Sequence, residues 1–180
     1  NASTQQPMVN ALLSLMCFHA SRFEARLDAL GAVILYADQD RNLWDAELIM
    51  RGEYYLNLAA TGDHLSKYHL EAAIAYWHTR KTEPADRWQR ILQLYNQLLQ
   101  VEYSPAAALN RTYALAQVHG AATGIAEAEK LDLGNSHLYH CLLGELYAQI
   151  DPAKSQHHWQ AALGLAKTEQ DKRVILGKCV

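Results

Sequence analysis

The sequence predicts an all-α protein, a stack of antiparallel helix hairpins with about nine or ten helices. Two observations carry this reading. Helix breakers are scarce, with 9 Gly and 4 Pro in 180 residues, while 50% of the chain is apolar and rich in Ala and Leu. Those two residues cost least in a helix. Apolar residues also recur with helical spacing nearly throughout, most cleanly at Trp88, Ile91, Leu92, Tyr95, Leu98 and Leu99, which fall on one continuous face. Residues 1–7 read as a tag remnant or flexible lead-in. Residues 8–180 read as a single helical-repeat domain, long enough to bury a core and cut from a longer protein.

The first helix has Pro7 near its start and a stripe formed by Val9, Leu12, Leu13, Leu15, Met16 and His19. A short second helix is expected over residues 22–30, ending near Gly31. Residues 32–36 are β-branched and aromatic and could pass for a strand. A lone strand has no partner, so they read as extended or loosely helical chain. A long helix follows over residues 42–60, capped by Asn42, with Asp45 three residues on in the capping-box position. Gly62-Asp63 breaks it. The next helix, over residues 66–79, turns Leu70, Ala73, Ile74 and Trp77 inward, and residues 81–85 make a polar turn. After the Trp88 helix, Ser104 caps and Pro105 starts another, carrying Ala108, Leu109, Tyr113 and Ala116 towards Gly120. Two such helices with a short turn make a hairpin.

Leu143-Gly144-Glu145-Leu146-Tyr147 has the L-G-x-x-Y spacing of a tetratricopeptide first helix. Past the turn at Asp151-Pro152, Trp159, Ala162 and Leu163 supply the large-small-apolar pattern of the second helix. The spacing is one residue short and the closing Pro is missing, so the repeat is degenerate. Small residues at the crossings allow close packing, and the hairpins are expected to stack into a short, right-handed, tetratricopeptide-like solenoid. The charged residues 169–173 should face solvent on a final capping helix.

The formal charge of −3 argues against a free-standing nucleic-acid binder, which normally shows a basic face. Cys17, Cys141 and Cys179 form no CxxC pair, which points to reduced thiols in the cytoplasm. No apolar run approaches the roughly 20 residues of a membrane span, and no signal peptide is visible. His137-x-x-His140 and the neighbouring His157-His158 invite a metal reading, but zinc needs three or four converging ligands. The ordinary reading is surface histidines, some packed on Tyr139 or Trp159. With no GxSxG elbow, phosphate loop or paired-carboxylate motif, no enzyme activity, catalytic residue, metal or cofactor is expected.

The run Asp38-Gln39-Asp40-Arg41-Asn42-Leu43-Trp44-Asp45 concentrates charge around a tryptophan where a loop turns into a helix. Two readings stand. In the structural one, Asp38 and Asp40 accept backbone amides and pair with Arg41, while Trp44 packs between helices. In the other, Arg41 and the carboxylates are a recognition point for a partner. Asn110-Arg111, inside an Ala/Leu helix, is a second such pair, read first as an inter-helix clamp.

Several segments occur in a recognisable order. They are Asn10-Ala11-Leu12-Leu13-Ser14-Leu15-Met16, then His19-Ala20-Ser21-Arg22, the run 38–45, and Tyr68-His69-Leu70-Glu71-Ala72-Ala73-Ile74-Ala75. Residues 88–95 lead on to Ser104-Pro105, Leu109-Asn110-Arg111, Gly120-Ala121-Ala122-Thr123-Gly124 and Leu138-Tyr139-His140. In this order they resemble the C-terminal, tetratricopeptide-like extension of one group of extracytoplasmic-function RNA polymerase sigma factors of the sigma-70 family. The resemblance covers nearly the whole chain. It implies a bacterial, cytoplasmic regulatory or interaction domain that supports or controls transcription initiation, in place of a separate anti-sigma factor. The implied partners are the sigma regions of the same polypeptide and RNA polymerase, with DNA reached only through the N-terminal sigma regions 2 and 4, which this chain lacks. One departure is that the family often has an Arg-rich stretch where this chain has Leu142-Leu143-Gly144-Glu145-Leu146-Tyr147-Ala148-Gln149. A generic tetratricopeptide adaptor that binds a peptide or protein is the alternative.

Overall fold

The computed structural model describes residues 6–27, 34, 39–61, 64–80 and 84–179. Among them there are nine α-helices and no strand: α1 (Pro7–Ala20), α2 (Ala46–Ala59), α3 (Lys67–Thr79), α4 (Pro84–Val101), α5 (Pro105–His119), α6 (Ala121–Ala128), α7 (His137–Tyr147), α8 (Pro152–Leu165) and α9 (Glu169–Leu176). The fold is all-α and built from antiparallel helix hairpins. The chain divides into two compact units, Asn1–Tyr103 with α1 to α4 and Ser104–Val180 with α5 to α9. Most of residues 1–7 and of 32–36 lie outside the described residues.

In the first unit, α1 and α2 pair so closely that glycine is required at the crossing. A Cβ on Gly52 would stand 2.8 Å from the Phe18 ring, while the Ser14 hydroxyl donates to the Gly52 carbonyl at 2.8 Å. Nearer the other end of the pair, the Asp45 N–H donates to the Ser21 carbonyl at 2.8 Å. These contacts pair rising positions on one helix with falling positions on the other, which is the antiparallel arrangement. Helix α3 joins through Tyr76, whose ring lies 6.0 Å from that of Phe18. Helix α4 runs back along α3, with Lys67 bridged to Glu102 at 2.8 Å and, at the opposite end, His78 5.8 Å from Trp88. The predicted face of α4 is realised, with Ile91, Leu92, Tyr95 and Leu98 buried.

The first helix packs on a different face from the one its large residues suggest. The buried positions are Asn10, Ala11, Ser14 and Phe18, whereas Met8, Leu12 and Met16 are exposed. Close approach to Gly52 selects small residues, and a hydrophobicity stripe overlooks them. Over residues 22–27 the expected helix is replaced by tight turns, with Phe23 bonded back to Ala20 at 3.0 Å and Ala25 to Arg22 at 3.1 Å, and the rest of that expected helix, up to Gly31, lies outside the described residues. Phe23 and Leu27 remain exposed and Ala25 alone of the apolar residues in 22–27 is buried, too little apolar surface to hold a helix.

In the second unit, Ser104 accepts from the Ala107 N–H at 3.1 Å and caps α5 as expected. Gly120, at φ 91°, turns the chain directly into α6, a helix hidden in the sequence by its glycines. Leu109, Ala116, Ile125, Ala128, Leu142, Leu143 and Leu146 form the core of this unit. The α7–α8 pair carries the expected tetratricopeptide packing. A Cβ on Gly144 would stand 2.7 Å from the Trp159 ring, and the buried Ser155 hydroxyl donates to the Gly144 carbonyl at 2.7 Å. Helix α9 closes the unit with Ile175 buried against Trp159, Ala162 and Ala166, and its charged residues face outward or lie half-exposed.

Candidate interaction site

The polar run folds into a hook just ahead of α2, and Asp38 lies outside the described residues. Residues Arg41–Leu43 make one 3-10 turn. Asp40 Oδ1 caps it by accepting from the backbone and side-chain nitrogens of Asn42, both at 2.9 Å. The cap of α2 is Asp45, whose Oδ1 accepts from the Leu48 N–H at 3.0 Å. Asn42 is therefore not the cap, and the helix starts at Ala46. The reason is the bond from the Asp45 N–H to Ser21, which anchors Asp45 against the end of α1 and sets where α2 begins. An Asp at this position satisfies an otherwise orphan helical N–H and complements the positive helix end.

Arg41 does not bridge to Asp40. Its guanidinium lies over the Trp44 ring at 5.3 Å, and that of Arg22 lies 5.8 Å from the same ring, a cation–π arrangement. Gln39 donates from Nε2 to the Ile34 carbonyl at 3.2 Å. Trp44 is half-buried, while Asp40, Arg41 and Asp45 are exposed.

Asn110 and Arg111 belong to the other unit. Arg111 is the expected clamp, reaching from α5 to Glu127 of α6, and Glu127 also takes Lys130 at 2.8 Å. Bonds from Lys130 and Arg111 hold the Glu127 carboxyl below its ordinary range. Asn110 itself is exposed.

Sequence reading missed a basic cluster beside the hook, because it is assembled from separate helices. Arg26 Nη2 donates to His19 Nδ1 at 3.0 Å. The guanidinium of Arg87 lies 5.4 Å from the Trp88 ring. Burial, reinforced by Arg22, Arg87 and His19, pushes His78 down to about 4. A base depressed in the folded state stabilises the fold above its unfolded value, near 6.5, and that contribution is lost as pH falls towards 4. The first unit is accordingly expected to lose about 3 kcal/mol between pH 7 and pH 4 through His78. Urea denaturation at the two pH values, compared with His78→Phe, measures it; an equal acid loss in the variant would refute it.

The remaining candidates are quieter. Burial pushes the Cys141 thiol up to about 11, far from a reactive thiolate. Among the described residues, no group of three or more His, Cys, Asp or Glu side chains could hold a metal ion, and no helix is long and apolar enough to cross a membrane. A shallow cleft of about 420 Å³ between α3 and α4 is lined by Trp77, Asp86, Gln89, Arg90 and Gln93. Rows of exposed apolar side chains mark α1 (Met8, Leu12, Met16) and α2 (Met50, Tyr54, Leu58).

The profile of a family of unknown function (DUF6596) matches residues 1–60, the stretch that holds the hook. An uncharacterized protein (R00370) of Rhizobium meliloti (strain 1021) is 32% identical over 174 residues, which is 94% of this chain and 41% of that protein. The chain thus spans about two fifths of the length of this relative. No solved structure matches.

Proposed function

We propose that this chain is the helical extension of a bacterial extracytoplasmic-function sigma factor. In this reading it works in the cytoplasm and supports or controls transcription initiation through contacts with the sigma regions of its own polypeptide and with RNA polymerase. It carries no enzymatic activity of its own and meets DNA only through those regions. The observation that carries the reading is the order of the matching segments, from Asn10 to His140, along nearly the whole chain. The exposed charges of the hook and the apolar rows on α1 and α2 are compatible surfaces for such contacts. Deleting the segment from the full-length gene should change transcription from the cognate promoter, and unchanged promoter-directed transcription would sink the proposal.

The hook offers a sharper test. Arg41→Ala should lower the stability of this chain by about 0.5–1 kcal/mol, the worth of an exposed cation–π contact, and so lower its melting temperature. An unchanged melting temperature with lost transcriptional control would assign Arg41 to partner recognition instead.

The Gly144–Trp159 packing favours a second reading, a tetratricopeptide adaptor for an unrelated peptide or protein. Affinity capture from a bacterial lysate separates the two, with polymerase subunits supporting the first and an unrelated partner the second.

A further inference from the structure

Two histidines from neighbouring helices meet in the second unit. His140 of α7 and His158 of α8 bring their Nδ1 atoms to 3.0 Å, with the rings stacked at 5.3 Å. His140 Nε2 lies 3.0 Å from the Gly134 carbonyl. A carbonyl only accepts, so Nε2 must carry the proton and the neutral ring presents a bare Nδ1. The hydrogen in the Nδ1–Nδ1 contact then belongs to His158. This assignment makes the two rings respond differently to acid. A first added proton enters at His158 Nε2 and leaves the bond intact. A second, on His140 Nδ1, would set two N–H groups head to head.

The surroundings make the His158 ring harder to protonate. Tyr147 of α7 stacks flat on His158 at 5.4 Å, and Lys154 of α8 sits over the Tyr147 ring at 5.3 Å. The Tyr147 hydroxyl donates to Glu129, past the end of α6, at 3.4 Å. Tyr139 and His157 meet the pair edge-on, and Asp151 in the α7–α8 turn lies near enough to act on Tyr147. Burial, followed by the charges of His140 and His157, lowers the basicity of His158; Glu129 opposes that and Lys154 adds to it.

We propose that His140 and His158 form a proton-operated clip between α7 and α8, closed while the pair holds at most one added proton and opened by the second. Opening releases the first turn of α7 and the connection through Gly134. The device operates whatever partner the hook engages.

The test is a titration of the intact chain from pH 8 to 4.5, read by long-range proton–nitrogen correlations of the histidine rings and by amide exchange. At pH 8, His140 should show the Nε2–H form and His158 the Nδ1–H form. Protons should then enter in two separate, coupled steps that belong to the pair. After the second step, exchange of amides 140–144, corrected for its intrinsic pH dependence, should rise about tenfold. His158→Asn keeps a donor facing His140 but accepts no proton, so opening should move to higher pH. Independent one-step titrations of the two rings, or unchanged protection of amides 140–144, would overturn the clip. The wild-type titration decides even if the variant fails to fold.

Discussion

Trp159→Ala should destabilise the second unit by about 3–5 kcal/mol, the range for truncating a large buried aromatic. Trp159 is only 8% exposed and anchors the cluster of Ala162, Ala166 and Ile175. Domains of this size hold about 5–15 kcal/mol in total, so the variant should be marginal, as read by loss of amide protection in α7, α8 and α9. Gly144 supplies a test of sign. Gly144→Ala gains about 1 kcal/mol of helix propensity but sets a methyl 2.7 Å from the indole, and overpacking costs about 1–3 kcal/mol. The indole is wide and stiff, so the clash wins in the native protein and the substitution destabilises. In the Trp159→Ala background the clash is gone, and the same substitution should stabilise. Contacting residues couple in this way; the same sign in both backgrounds would refute the packing argument.

Phe18→Ala should cost the first unit a similar 3–5 kcal/mol. Phe18 is 1% exposed and is wedged between Gly52 of α2 and Tyr76 of α3. It therefore joins three helices through one side chain. Phe18→Leu, which keeps much of the volume, should cost about 1.5 kcal/mol. Urea midpoints of the two variants check the ratio; comparable losses would mean that filled volume is not what matters there.

These sites also show what the sequence made legible. The face of α4 could be read because large residues repeat on it at strict helical spacing. The face of α1 could not, because Ser14 and Ala11 do the packing and hydrophobicity patterns give them little weight. No helix is assigned from the sequence just after Gly120, yet Gly120 caps α6 and Gly124 is its close-packed middle, where a Cβ would stand 2.5 Å from that of Ala116. Within the hook, the residues were identifiable but their roles were not. The choice of Asp45 over Asn42 as cap depends on a bond to Ser21, and the basic cluster around His78 gathers residues from α1, α3, α4 and the turn after α1. Long-range contacts of this kind leave no local signal.

The same trio of groups appears at two of the glycine crossings. A serine and the aromatic residue four positions later face a glycine of the partner helix, Ser14 and Phe18 on Gly52, Ser155 and Trp159 on Gly144. The hydroxyl holds the glycine carbonyl while the ring fills the missing side chain. Sliding one helix by a single turn, about 5.4 Å, would break the hydroxyl bond and press the ring onto a residue that has a Cβ. Each hairpin thus has one mechanical setting and no shear mode. A push from a bound partner would travel through α1–α2 or α7–α8 as through a solid bar.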